Sequence, residues 1–124
     1  MRLAACLVLT ATLITGCGGG SATSVEGTWQ ASGLAAGSSL VLDLNEERGG
    51  VAGSGTFTEA GGRSGRLVVT GMQGGKQVEL AWTYDSGERF QYSATMPDGD
   101  HLSGNVTMVA PSTSAAQPLQ FVRQ

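Results

Sequence analysis

The sequence predicts an all-β domain, an eight-stranded antiparallel up-and-down β-barrel over residues 25–124. Three observations predict it. Apolar and polar residues alternate with a period of two through most segments after residue 25. Clusters of Gly, Pro, Asp and Ser punctuate the chain about every dozen residues. No stretch carries the apolar spacing of an amphipathic helix.

The strands follow in order. VEGTWQA (25–31) opens the domain and SLVLDLN (39–45) has the cleanest alternation. GVAGSGTFT (50–58) and GRLVVTGM (65–72) come next, then KQVELAWTY (76–84) and RFQYSATM (89–96). HLSGNVTMV (101–109) and PLQFVR (118–123) complete the eight. Between the fourth and fifth, Gln73-Gly74-Gly75-Lys76 suits a type I′ turn, since glycine accepts the positive φ angles at no steric cost. That turn pairs Gly71 with Val78, Val69 with Leu80 and Leu67 with Trp82. An odd-length loop around Asp85-Ser86-Gly87 pairs Tyr84 with Phe90, Trp82 with Tyr92 and Leu80 with Ala94. The Pro97-Asp98-Gly99-Asp100 turn pairs Met96 with Leu102, Ala94 with Gly104 and Tyr92 with Val106.

These hairpins share one apolar face. Gln77, Glu79, Thr83, Gln91, Ser93, Thr95, Ser103, Asn105 and Thr107 make the opposite, solvated face. A one-sided meander buries its apolar side by folding over as a sandwich or by closing into a barrel. Closure is favoured because it removes both edges. Eight strands close around side chains or one small ligand.

The chain before this domain has a different character. Leu3 to Ile14 is apolar apart from Thr10 and Thr12 and follows a single charge, Arg2. About 12 residues are too few to span a bilayer, which needs about 20, but suit a signal-peptide core. The run ends in Leu13-Ile14-Thr15-Gly16-Cys17. This segment resembles the bacterial lipobox. The resemblance implies cleavage before Cys17, a diacylglycerol on its thiol and acylation of the new amino group. Residues 1–16 are then a removed signal peptide, and 17–24 a lipidated Cys with a Gly/Ser-rich tether. It also implies a place in the cell envelope, held to a membrane. Gly18 after the Cys is compatible with the periplasmic face of the outer membrane in a two-membrane cell, and in a one-membrane cell the anchor implies the outer face of the cell membrane.

Composition narrows the function classes. Without Arg2 the remaining chain has six basic and ten acidic residues, a net charge of −4, which offers no electrostatic footprint for nucleic acid. Cys6 lies in the leader and Cys17 is taken by lipid, so the domain folds without disulfides. His101 is the single histidine, which excludes Cys/His metal sites and leaves little for a catalytic triad. No residue set calls for a metal or a cofactor, and an enzyme is not expected. Asp98, Asp100 and His101 read as a solvated turn, and Glu46-Glu47-Arg48 as a charged hairpin tip. Gly61-Gly62-Arg63-Ser64-Gly65-Arg66 lacks the strand-to-helix setting of a phosphate cradle.

Gly27-Thr28-Trp29 on the first strand and Leu119-Gln120-Phe121-Val122-Arg123 on the last resemble the two ends of a calycin (lipocalin-like) barrel. There the Trp sits at the closed end and an Arg of the final strand stacks across it. The resemblance implies a barrel-end pair of Trp29 and Arg123. The G-T-W start is shared by the avidin-like group, but no counterpart of a biotin site is present. Inward parity also collects Trp29, Trp82, Tyr84, Phe90, Tyr92 and Phe121, with Gly53, Gly55, Gly71 and Gly104 between them. Inward glycines leave volume beside large rings. Two readings follow. In one, Trp29, Trp82, Tyr84, Phe90 and Tyr92 line a pocket for a small apolar ligand or lipid. In the other, the rings fill the barrel and its outer surface meets an envelope partner.

Overall fold

The computed structural model describes residues 23–124. The leader assigned to 1–16, Cys17 and the tether up to residue 22 lie outside the described residues. Eight strands run in chain order: β1 (Gly27–Ser32), β2 (Ser39–Glu47), β3 (Gly50–Thr58), β4 (Ser64–Gly74), β5 (Gln77–Tyr84), β6 (Arg89–Thr95), β7 (His101–Ala110) and β8 (Gln117–Arg123). Each pairs antiparallel with the next, and β8 returns to β1, with Trp29 opposite Arg123 and Ala31 opposite Phe121. The barrel is closed and no strand edge is left open. None of the described residues forms a helix.

The alternation decides which side of each strand is buried. Leu40, Leu42 and Leu44 point inward from β2, Leu67 and Val69 from β4, and Val78, Leu80 and Trp82 from β5. Glu79, Ser93 and Asn105 face water between them. Thr107, expected in water, is half-buried.

Two hairpin registers differ from expectation by two residues. On β4–β5, Gly71 lies opposite Leu80 and Val69 opposite Trp82. The turn is Gly75-Lys76, with positive φ at Gly75 (62°) and not at Lys76, so it follows a II′ pattern and Gly74 joins the strand. On β5–β6, Tyr84 N donates to Glu88 O, which shortens the loop to 85–87 and sets Trp82 opposite Phe90 and Leu80 opposite Tyr92. A slip of two keeps every side chain on its own face, so apolar patterning does not resist it. The β6–β7 pairs Ala94–Gly104 and Tyr92–Val106 stand as expected. A bulge between Arg89 and Phe90 then ends that ladder near the rim of the barrel, a common place for one.

The inward glycines serve the backbone rather than a void. A Cβ on Gly104 would collide with Ser93 O and Ala94 Cα of the neighbouring strand. Gly53, Gly55 and Gly71 are crowded in the same way by the strand beside them. The expectation that they leave volume for a ligand is therefore corrected. They permit the close strand approach and coiling that a small barrel needs.

Candidate functional site

The two ends of the barrel are built differently. One end gathers the tight turns at 48–49 and 75–76, the 96–100 turn and the segment Thr23–Glu26. This end is closed. Val25 is fully buried, and its N–H donates to Gln73 Oε1 at 2.8 Å. Gln73 Nε2 donates to Thr23 O, and Ser24 Oγ donates to Glu46 Oε1 at 2.6 Å. Thr23 and Ser24, counted in the tether from sequence, are thus part of the domain.

Arg123 lies across this end. Its guanidinium stands 4.4 Å from the Trp29 ring centroid and donates to the carbonyls of Gly99 (2.7 Å), Ser24 (2.8 Å) and Glu26. Trp29 is buried, and its Nε1–H donates to Val25 O at 2.8 Å. Gly27, at φ +136°, holds a backbone conformation that strains any residue with a side chain, and a Cβ there would also displace the Arg123 guanidinium, 2.7 Å away. Asp98 Oδ1 accepts from Asp100 N at 2.8 Å and lies 2.9 Å from His101 Nδ1. The contact with His101 and the backbone N–H bonds hold the Asp98 carboxyl below its ordinary value. These residues shape the turn that offers Gly99 O to Arg123.

Side chains fill the barrel from this end up to Trp82. Tyr92 and Phe121 meet edge-on at 5.4 Å, and each packs on the Trp82 indole, at 5.7 and 6.2 Å. The Tyr92 hydroxyl donates to Leu119 O at 2.7 Å, and burial pushes its phenol up. That donor is already used.

The other end is the mouth, ringed by the segments 33–38, 59–63, 85–88 and 111–116. Here a cavity of about 210 Å³ opens to solvent. Trp82, Tyr84, Phe90, Leu40, Val106 and Leu119 form its apolar wall, Leu34 and Ser38 reach it from the β1–β2 loop, and Glu59 lies at its edge. Phe57 and Tyr84 stack at 3.8 Å and 6°, and Tyr84 meets Phe90 at 4.7 Å. Burial, reinforced by the Glu59 carboxylate, pushes the Tyr84 phenol up to about 12, so it stays protonated at neutral pH.

Arg63 sits 5.4 Å from the Phe57 ring and bridges Glu59 (3.0 Å) and Glu88 (2.6 Å). The Ser86 hydroxyl and Arg63 lower the Glu88 carboxyl. Two carboxylates therefore share one guanidinium at the rim.

Of the five residues expected to line a pocket, Trp82, Tyr84 and Phe90 line the cup. Trp29 is held under Arg123 at the closed end, and Tyr92 is locked by Leu119. The contributions of Leu34, Ser38 and Glu59 were invisible to strand periodicity because they come from loops. Trp82 has one further property. It is 2% exposed, yet its indole Nε1 has no hydrogen-bond partner, and among the described residues no other buried side-chain nitrogen or oxygen is in that position. Native structures rarely leave a buried donor unpaired. Among the described residues, no group of three or more His, Cys, Asp or Glu side chains is placed to hold a metal ion. No protein-family model matches the chain, and no curated protein matches it.

Proposed function

We propose that the protein is a lipoprotein, anchored in a cell envelope through Cys17, whose barrel holds one small apolar ligand in the cup at its mouth. The observation that carries this reading is the cup itself: a concave, aromatic-walled space of about 210 Å³ in a barrel otherwise packed with side chains. Its size favours a compact molecule over a long lipid chain. The anchor rests on the resemblance of Leu13–Cys17 to the lipobox.

The two parts of the proposal have a geometric relation. Thr23 to Glu26 is fastened to the closed end. Residues 18–22 separate Cys17 from Thr23, a reach of at most about 20 Å. An anchor at Cys17 therefore tethers the closed end to the bilayer and leaves the mouth free to face the aqueous side. Ligand is taken from solution or from a soluble donor, not drawn from the membrane beneath.

A second reading, an interaction module with no ligand, draws on Val68 and Met72. They stand 63% and 66% exposed on the outer face of β4. Cys17→Ser tests the anchor. The variant is expected to lose acylation and to leave the membrane fraction in a high-salt and carbonate wash. Two acyl chains hold a protein nearly irreversibly, so full retention of the Ser variant would refute the anchor. A saturable site for single-ring apolar probes tests the cup, and its absence would favour the interaction reading.

A further inference from the structure

We infer that the ligand of the cup is a small organic cation: an apolar body of about one ring, with a single ammonium group that stays at the rim beside Glu59. The inference rests on the cup-binding reading above and adds a charge to it. Three observations carry it.

The first is how apolar and charged surface are divided. The wall of the cup is apolar and largely aromatic, and the charged residue that lines it is Glu59. An apolar cavity of about 150 Å³ holds one benzene. A space of about 210 Å³ takes a ring with a short substituent and little more. The Glu59 side chain is 47% exposed, so its carboxylate keeps water. A ligand whose ring enters the cup can leave its ammonium beside that carboxylate, still partly hydrated. It then avoids the large cost of a charge in an apolar interior.

The second is the charge of the mouth. The segments that ring it, 33–38, 59–63, 85–88 and 111–116, hold three carboxylates, Glu59, Asp85 and Glu88, and one guanidinium, Arg63. Arg63 is shared by Glu59 and Glu88, at 3.0 and 2.6 Å. Arg66 and Arg89, the basic residues next along the chain, line grooves on the outside of the barrel beside Val68. The mouth therefore keeps an excess of negative charge. A cation offsets it, and an anion is repelled by it.

The third is that this charge reaches the wall of the cup. Burial raises the Tyr84 phenol most, Glu59 raises it further, and Arg63 offsets less than Glu59 and Glu88 together add. The same ring stack already carries one cation. Arg63 stands 5.4 Å from the Phe57 ring, which stacks on Tyr84 at 3.8 Å.

The test uses the full chain in a nonionic detergent and three probes. 1-Phenylethylamine is a cation at neutral pH. Acetophenone has the same carbon skeleton with a carbonyl in place of the amine-bearing carbon. Benzoate is the anion. Affinities are measured by calorimetric titration in wild type, Glu59→Gln and Arg63→Gln, and the ratio between probes is compared across the three chains, so that partitioning into micelles cancels. The amine is expected to bind about fivefold tighter than acetophenone in wild type. The ratio should fall to within about twofold in Glu59→Gln and rise in Arg63→Gln, opposite changes at one ion pair that a loss of folding does not mimic. It should also fall in about 1 M salt, where screening acts within about 3 Å. Equal affinities of amine and acetophenone in wild type, or a ratio unchanged by Glu59→Gln, would overturn the cationic class and leave the cup reading standing. Benzoate as the tightest binder would overturn it too. If no probe saturates, the cup reading itself fails and takes this inference with it. The wild-type ratio and its salt dependence decide the matter even if a variant does not fold.

Discussion

The closed end and the mouth are made from the same eight strands, yet they treat polar groups in opposite ways. At the closed end the buried donor is paired: Trp29 Nε1 reaches Val25 O, while Val25 N reaches Gln73 and Arg123 ties down Gly99, Ser24 and Glu26. The turns there are tight, at 48–49 and 75–76. At the mouth the connections at 33–38 and 111–116 are longer, Tyr84 and Phe90 are half-buried, and Trp82 Nε1 has no partner. A satisfied polar network fixes one arrangement. An open apolar space leaves volume that the fold itself does not fill. The difference separates the part of the barrel that holds the fold from the part to which the proposed function assigns binding.

The comparison predicts unequal costs for similar truncations. Trp29→Ala removes a buried ring, the partner of Arg123 and the donor to Val25 O, and should destabilise by about 3–5 kcal/mol in denaturant melts. Phe90→Ala removes a ring already partly in water and should cost roughly 1–2 kcal/mol, because less apolar area is lost. Equal losses would break the distinction between the ends.

A smaller effect sharpens it. The Ser24 hydroxyl and the Gly49 N–H hold the Glu46 carboxyl below its ordinary value of 4.5. A carboxylate lowered by folding contributes stability above its ordinary value, and that contribution is lost as pH falls through the lowered one. Between pH 6 and 3 the Ser24–Glu46 link should weaken, and the protection of the neighbouring backbone amides against hydrogen exchange should fall slightly. The Trp29 indole should stay protected, since its N–H is paired with the Val25 carbonyl and not with Glu46. Loss of Trp29 protection together with the Glu46 link would mean that the segment Thr23–Glu26 hangs on one carboxylate.

How much of this was legible in the sequence follows from what alternation encodes. It encodes face, so the eight strands and the inward positions of Trp82, Tyr92 and Phe121 could be read directly. It does not encode register to better than two residues. The choice between Gly74-Gly75 and Gly75-Lys76 lay in the turn geometry, where one positive φ sufficed. Val25 reads as a strand residue, but it plugs the closed end before β1 begins. The glycines misled for a physical reason. Absence of a side chain suggests space, yet at Gly104 the space is taken by the backbone of β6. The Gly27–Trp29–Arg123 cluster had a sequence signal in the resemblance of the chain ends. The unpaired Trp82 donor had none, because pairing depends on how rings from three strands, β5, β6 and β8, meet.

The separation of the two ends is tested most directly by following acetophenone binding as a thermal shift in three chains: wild type, Arg123→Lys and Val106→Phe. Arg123→Lys removes the planar donor set at the closed end. Val106→Phe adds bulk to the wall of the cup. The account predicts that Arg123→Lys melts earlier yet binds acetophenone within about twofold of wild type. It predicts that Val106→Phe melts at or near the wild-type temperature and loses most of the ligand-induced shift, because a ligand that favours the folded state raises its melting temperature only where it has room to bind. An Arg123→Lys chain that loses binding in step with stability, or a Val106→Phe chain that binds as wild type does, would contradict it.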